Sequence, residues 1–184
     1  MNKALALALI AAAGAVSGCA STKEKNAANP GACPNAVVLN DASRLVDFNG
    51  AEEIENVAYS AEIQNVTLDC RYYADRPIDA TMKLKIAFGR GPKGGEKEHN
   101  FTYFVAVTRT NLEVIAKQEY VIPIKFDDDE NVRTVEEKIE QILIPRASET
   151  VSGENFEVIV GLSLTPEQVL FNRSGKSLKF PDLQ

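Results

Sequence analysis

Six consecutive alternate positions, Ile78, Ala80, Met82, Leu84, Ile86 and Phe88, are apolar, and Asp79, Thr81, Lys83 and Lys85 between them are polar. This alternation constrains the fold more than any other feature of the chain. Side chains on an extended strand alternate between two faces, whereas a helix would scatter the same six residues around its axis. The segment is therefore read as an antiparallel strand with one dry face and one wet face. Phe101-Tyr103-Val105-Val107, Tyr120-Ile122-Ile124-Phe126 and Phe156-Val158-Val160-Leu162-Leu164 repeat the pattern.

Two segments carry a break. Val57, Tyr59, Ala61 and Ile63 are apolar at odd positions, and Val66, Leu68, Cys70 and Tyr72 at even ones. One extra residue flips every later side chain, so the change of parity at Gln64-Asn65 predicts a bulge, or else two shorter strands. Ala36 to Phe48 reads as a weaker strand broken near Asp41. In Val132 to Ile144, the positions Val135, Ile139 and Leu143 also fit a helix by their spacing of four. Pro145 and the β-branched content favour a strand. Thr165-Pro166-Glu167-Gln168 is a helix start: Thr as N-cap, Pro at the first helical position and Gln at the third. That helix should last a turn or two, through Val169, Leu170 and Phe171, before a basic tail from Arg173 to Gln184.

About seven strands joined by short loops, with no long helix, predict an all-β fold: a single antiparallel sandwich with a short C-terminal helix. Over roughly residues 36–164 the count and spacing resemble immunoglobulin-like or fibronectin type III-like domains. The resemblance is one of architecture, and the core Trp typical of such domains is missing, because the chain contains none. Many functions use this architecture, so it does not name one.

The N-terminus has a different character. A basic start, Met1-Asn2-Lys3, leads into an apolar run from Ala4 to Val16. That run is too short for a permanent membrane span, which needs roughly 20 residues, and reads as a secretory signal. The run ends in Val16-Ser17-Gly18-Cys19. These four residues resemble the lipobox of bacterial lipoproteins, in which small residues enter the peptidase in extended form and the thiol takes up diacylglycerol. The resemblance implies a signal peptide over 1–18, a mature chain beginning at acylated Cys19, and a membrane partner reached through that lipid. More than one buried acyl chain anchors stably. Ala20, rather than Asp, follows the lipidated position, which by the enterobacterial sorting rule implies the periplasmic face of the outer membrane. Residues 19–32 are small and polar after Cys19 and read as a lipidated tether, with the sandwich domain over 33–184.

The chain carries 20 basic and 26 acidic residues, for a net charge of −6. Its acidic balance gives no electrostatic footprint for nucleic acid. There are three cysteines. With Cys19 claimed by lipid, Cys33 and Cys70 are most simply one disulfide in an oxidising compartment. Closing a loop of that length contributes roughly 4 kcal/mol in the chain-entropy picture. Neither Cys sits in a Cys-x-x-Cys pair, and two Cys with one His at scattered positions match no zinc spacing. No metal or cofactor site is expected.

Other motifs reduce to surface chemistry. Gly89-Arg90-Gly91-Pro92-Lys93-Gly94 matches the dinucleotide fingerprint in letters. No helix follows it, and Pro92 removes a donor from the supposed phosphate cradle, so it reads as a loop between strands. His99, the single His, stands after Glu96, Lys97 and Glu98 and is expected to be solvated. The run Asp127-Asp128-Asp129-Glu130 lacks the spacing of a calcium loop and reads as a solvated turn. No nucleophile with a base and no paired carboxylates stand out. The expected function is a non-catalytic, membrane-anchored periplasmic binding or scaffold module for an envelope protein. A carbohydrate- or peptidoglycan-binding module is the alternative, with Tyr72, Tyr73 and Tyr103 as its stacking platform; a hydrolase of unknown type is a third. Val132 to Ile144, with Arg133, Glu136, Glu137, Lys138 and Glu140, is the expected exposed edge.

Overall fold

The computed structural model describes residues 31–73 and 75–179. Their elements, in chain order, are β1 (Asn35–Val38), a 3-10 turn (Asn40–Ala42), β2 (Arg44–Phe48) and a 3-10 turn (Ile54–Asn56). The long strands follow: β3 (Val57–Arg71), β4 (Ile78–Arg90), β5 (Glu98–Arg109), β6 (Val114–Lys125) and β7 (Val132–Ile144). A 3-10 turn (Gly153–Asn155), β8 (Phe156–Leu162), helix α1 (Pro166–Arg173) and a last 3-10 turn (Lys176–Lys179) complete them. Two four-stranded sheets result, in the orders β1-β8-β5-β6 and β2-β3-β4-β7. All strand pairs are antiparallel except β1 with β8, which is parallel.

The alternating runs become the inner faces. Met82, Leu84 and Ile86 of β4 are fully buried, while Lys83 and Lys85 are exposed. Facing them, Phe101, Tyr103, Val105 and Val107 of β5 and Val158 and Val160 of β8 close one core between the sheets. Burying a side chain of the size of Phe or Leu contributes about 1.5–3 kcal/mol, so the two inner faces are the main source of stability.

Both expected breaks occur. The register of β3 on β4 passes from Ile63↔Ile86 to Asn65↔Lys85, which leaves Gln64 as the extra residue of a bulge. The strand stays whole, and Val66, Leu68 and Cys70 keep packing against the core. Near Asp41 the break is larger. The 3-10 turn carries the chain from one sheet to the other, so Ala36 to Phe48 supplies two strands and the count is eight rather than about seven. Val132–Ile144 is a strand, not a helix.

One flank of the sandwich is closed. The chain crosses it from β1 to β2, and α1 lies over the crossing. Thr165 caps α1 with its side chain on the Gln168 N–H, and the Gln168 side chain accepts from the Thr165 N–H. At the other end of the helix the Asn172 amide donates to the carbonyls of Asp41 and Arg44, at 2.9 and 2.8 Å. Arg173 pairs with Asp41, and Phe171 meets Phe48 edge to face. The Cys33–Cys70 disulfide adds a covalent tie, with 5.6 Å between the Cα atoms. It binds the segment before β1 to the end of β3, in the other sheet. The Tyr72 hydroxyl finishes the seam by donating to the Ala32 carbonyl and accepting from the Gly153 N–H. A Cβ on Gly153 would lie 2.2 Å from the Ala32 oxygen, so this approach requires glycine.

Candidate functional site

The opposite flank is built from β6 and β7, the edge strands of the two sheets. The order of hydrogen bonds shows what each edge presents. Ser163 N–H donates to the Thr102 carbonyl, so Thr102 turns its main chain toward β8. Val121, opposite Thr102 on β6, therefore turns its main chain outward, as do Glu119 and Lys117 two and four residues earlier. On β7, Arg90 N–H donates to the Asn131 carbonyl, which directs residue 131 inward to β4. Residues 132, 134, 136 and 138 then point their main chains outward. Two rows of peptide groups, one per strand, face the same flank, and among the described residues no strand pairs with either.

A groove of about 420 Å³ lies between the rows. Val121, Ile122 and Ile124 of β6 line one wall, and Arg133, Val135 and Glu137 of β7 the other. Arg133 crosses the groove and donates to the outward carbonyl of Lys125 at 2.8 Å. Burial and the Glu137 carboxylate push the Tyr103 hydroxyl far above its ordinary pKa, because the phenolate would have to form in a dry site beside a negative charge.

The two edges are guarded differently. On β7, Arg133 and Glu137 share the parity of Val135 and Ile139 and point inward, a device that resists indiscriminate strand pairing. A bulge between the partners of Ala80 and Met82 adds a kink, with the Thr81 hydroxyl donating to the Glu140 carbonyl there. On β6, Pro123 is the guard, since it removes one N–H from the row. Val114 and Val121 of that strand are each 61% exposed. Pro123 within the alternating run Tyr120 to Phe126 is the sign of an edge strand that the chain itself carries.

Several other candidates resolve differently. Cys19 and the lipobox lie outside the described residues. Cys33 and Cys70 are joined. His99 is half-buried rather than fully solvated: it lies at the start of β5, one residue after Glu98, and shares the inward parity of Phe101 and Tyr103. Its ring stacks on Tyr59 at 3.8 Å and meets Phe101 edge-on at 4.7 Å. Burial lowers its pKa, opposed by the negative charge of Asp47. Tyr72 and Tyr103 are buried, at 5% and 2% exposure, and cannot form the stacking platform considered for a carbohydrate. Their parity placed them inward; their polar tips suggested otherwise.

The fingerprint-like loop joins β4 to β5. Its Gly91 sits where a Cβ would lie 2.2 Å from the Val57 carbonyl, so the glycine serves loop packing. Residues 127–130 are all exposed, and Asp128 pairs with Lys97, which holds its carboxyl below the usual carboxylate range. Among the described residues no group of three His, Cys, Asp or Glu side chains is placed to hold a metal ion. A smaller groove of about 190 Å³ lies beside the Arg44–Glu62 ion pair, with Val46, Ile54 and Pro92 among its walls.

Fold and flank together define a two-sheet β-sandwich closed on one side and open on the other. No family model matches this chain, and no curated protein or solved structure is significantly similar to it.

Proposed function

We propose that this chain is a lipid-anchored periplasmic module that binds another envelope protein without catalysing a reaction. In this reading acylated Cys19 holds the protein on the periplasmic face of the outer membrane, and residues 19–32 tether the sandwich. The partner contributes an extended segment that adds to the outward row of β7, with an apolar side chain entering the groove beside Ile122, Ile124 and Val135. The observation that carries the reading is this unpaired row beside a groove of mixed apolar and charged walls, since only an extended strand supplies alternating donors and acceptors at matching spacing.

Lys138 tests the row. Its main chain points outward, so the native sheet does not use its N–H, and proline there removes a donor available only to a partner. After crosslinking in intact envelopes identifies the partner, Lys138→Pro should weaken its capture at least tenfold, while Lys138→Ala leaves it within twofold. Circular dichroism must first show that both variants fold. If both folded variants capture the partner as well as the parent does, the reading fails.

A further inference from the structure

The β6 edge has a property that the β7 edge lacks: its outward row is complementary to itself. Lys117 and Glu119 lie one alternate position apart, and both turn their main chains outward. If two copies of β6 run antiparallel about a two-fold axis at Gln118, Lys117 of one copy faces Glu119 of the other, twice over. Residues facing each other at outward positions exchange both main-chain bonds, so each of these pairs joins two peptide groups as well as two opposite charges. Gln118 then faces Gln118 of the second copy, and Ala116 faces Tyr120.

The registers with the axis one residue to either side set like charges together. An axis at Glu119 sets the two Glu119 carboxylates face to face, and an axis at Lys117 does the same to two ammonium groups. The ends of the favoured window are marked in the strand itself. The register of β6 on β5 shifts between the partners of Val107 and Thr108, so the straight part of β6 begins at Ala116. Pro123 interrupts the donors at the far end. The Glu119 carboxylate is already held beside the edge, accepting from the Ser163 hydroxyl at 3.2 Å and from Lys117 at 3.4 Å.

We propose that a second copy of this chain pairs with β6 over residues 116–120, giving a dimer with one continuous eight-stranded sheet. The occupant is an identical strand because the charges alternate in the one pattern that an antiparallel copy satisfies. The window stops short of the groove residues of β6, Val121 to Lys125. Self-pairing uses the β6 row alone and does not rest on the partner reading above.

The test uses the full-length chain in its membrane. Gln118→Cys sets two thiols across the axis, at the close spacing of a non-bonded antiparallel pair. Mild oxidation should yield a disulfide-linked dimer in at least tenfold excess over that from Lys83→Cys, an exposed position on the other sheet. Adding Lys117→Glu, or adding Glu119→Lys, sets like charges opposite each other and should abolish that dimer. Co-expressing the two charge-swapped chains restores both ion pairs, so a mixed dimer should return to near the parent level. That return also shows that both swapped chains fold. Equal crosslinking of Gln118→Cys and Lys83→Cys overturns the proposal, as does a dimer yield that neither charge swap changes. Failure of the swapped pair to recover overturns the register and with it the proposal.

Discussion

Thr108 is the residue at which the fold carries a cost without a visible return. It is 2% exposed, and its hydroxyl oxygen has no hydrogen-bond partner among the described residues. Valine has the same shape without the polar atom. Thr108→Val should therefore stabilise the protein by about 1 kcal/mol, the scale of a buried unpaired polar group. A higher urea midpoint at unchanged slope is the expected result. His99 makes a prediction of opposite sign. Burial lowers its pKa in the folded chain, so the unfolded chain binds more protons near and below its ordinary pKa of 6.5. Its contribution is complete above that pH and is lost as pH falls from 6.5 toward the depressed folded value. Between pH 7 and 5.5 the parent should lose more stability than His99→Phe does, by urea titration at each pH. The parity of His99 with Phe101 was visible in the chain; the polar residues before it obscured that, since one residue at a strand end carries little periodicity.

At the scale of elements, the disulfide and strand β1 depend on each other. β1 is four residues long and half-exposed, and among the described residues it pairs, in parallel, with β8 alone. So few contacts scarcely offset the entropy of ordering the segment, and the bond from Cys33 to Cys70 supplies the constraint. Replacing both cysteines by serine should cost about 2–4 kcal/mol. The loss should be uneven. The Leu39 amide, which donates to the Val160 carbonyl, should exchange with solvent much faster, while amides of β4 keep most of their protection. Equal loss across both strands would count against a local role. The bulge at Gln64, the capped helix at Thr165 and the break near Asp41 were legible because each changes a period or supplies a capping pattern. The parallel pairing of β1 with β8 was not, because its partners lie over a hundred residues apart and four half-exposed residues carry no directional signal.

For the whole molecule, the difference between its two flanks matters most. One is sealed by the chain crossing, α1, the disulfide and the Tyr72 hydroxyl; the other presents a groove and two rows left unpaired among the described residues. The lipid reading of Cys19 sets where that open flank would work. Cys19→Ser should move the protein from the membrane fraction almost entirely to the soluble fraction. Intact mass of the membrane-extracted parent should show a first residue of acylated Cys19, and any other N-terminus would refute the anchor.

What the sequence determined by itself was local and periodic. Alternation set which side chains face inward, a parity change set the bulge, and Thr165 with Gln168 set the helix start, because each is a matter of residues within a few positions of one another. The pairing of Cys33 with Cys70 followed from counting once the compartment was assumed. The assignment of strands to sheets, the parallel β1–β8 contact and the stacking of His99 on Tyr59 came from the tertiary structure. So did the placing of β6 beside β7 on one open flank. These depend on how the two sheets turn over each other, and strand alternation is the same whichever neighbour a strand finds. A strand records in its own residues which face is dry; which edge is left bare is decided only when every other strand has taken its place.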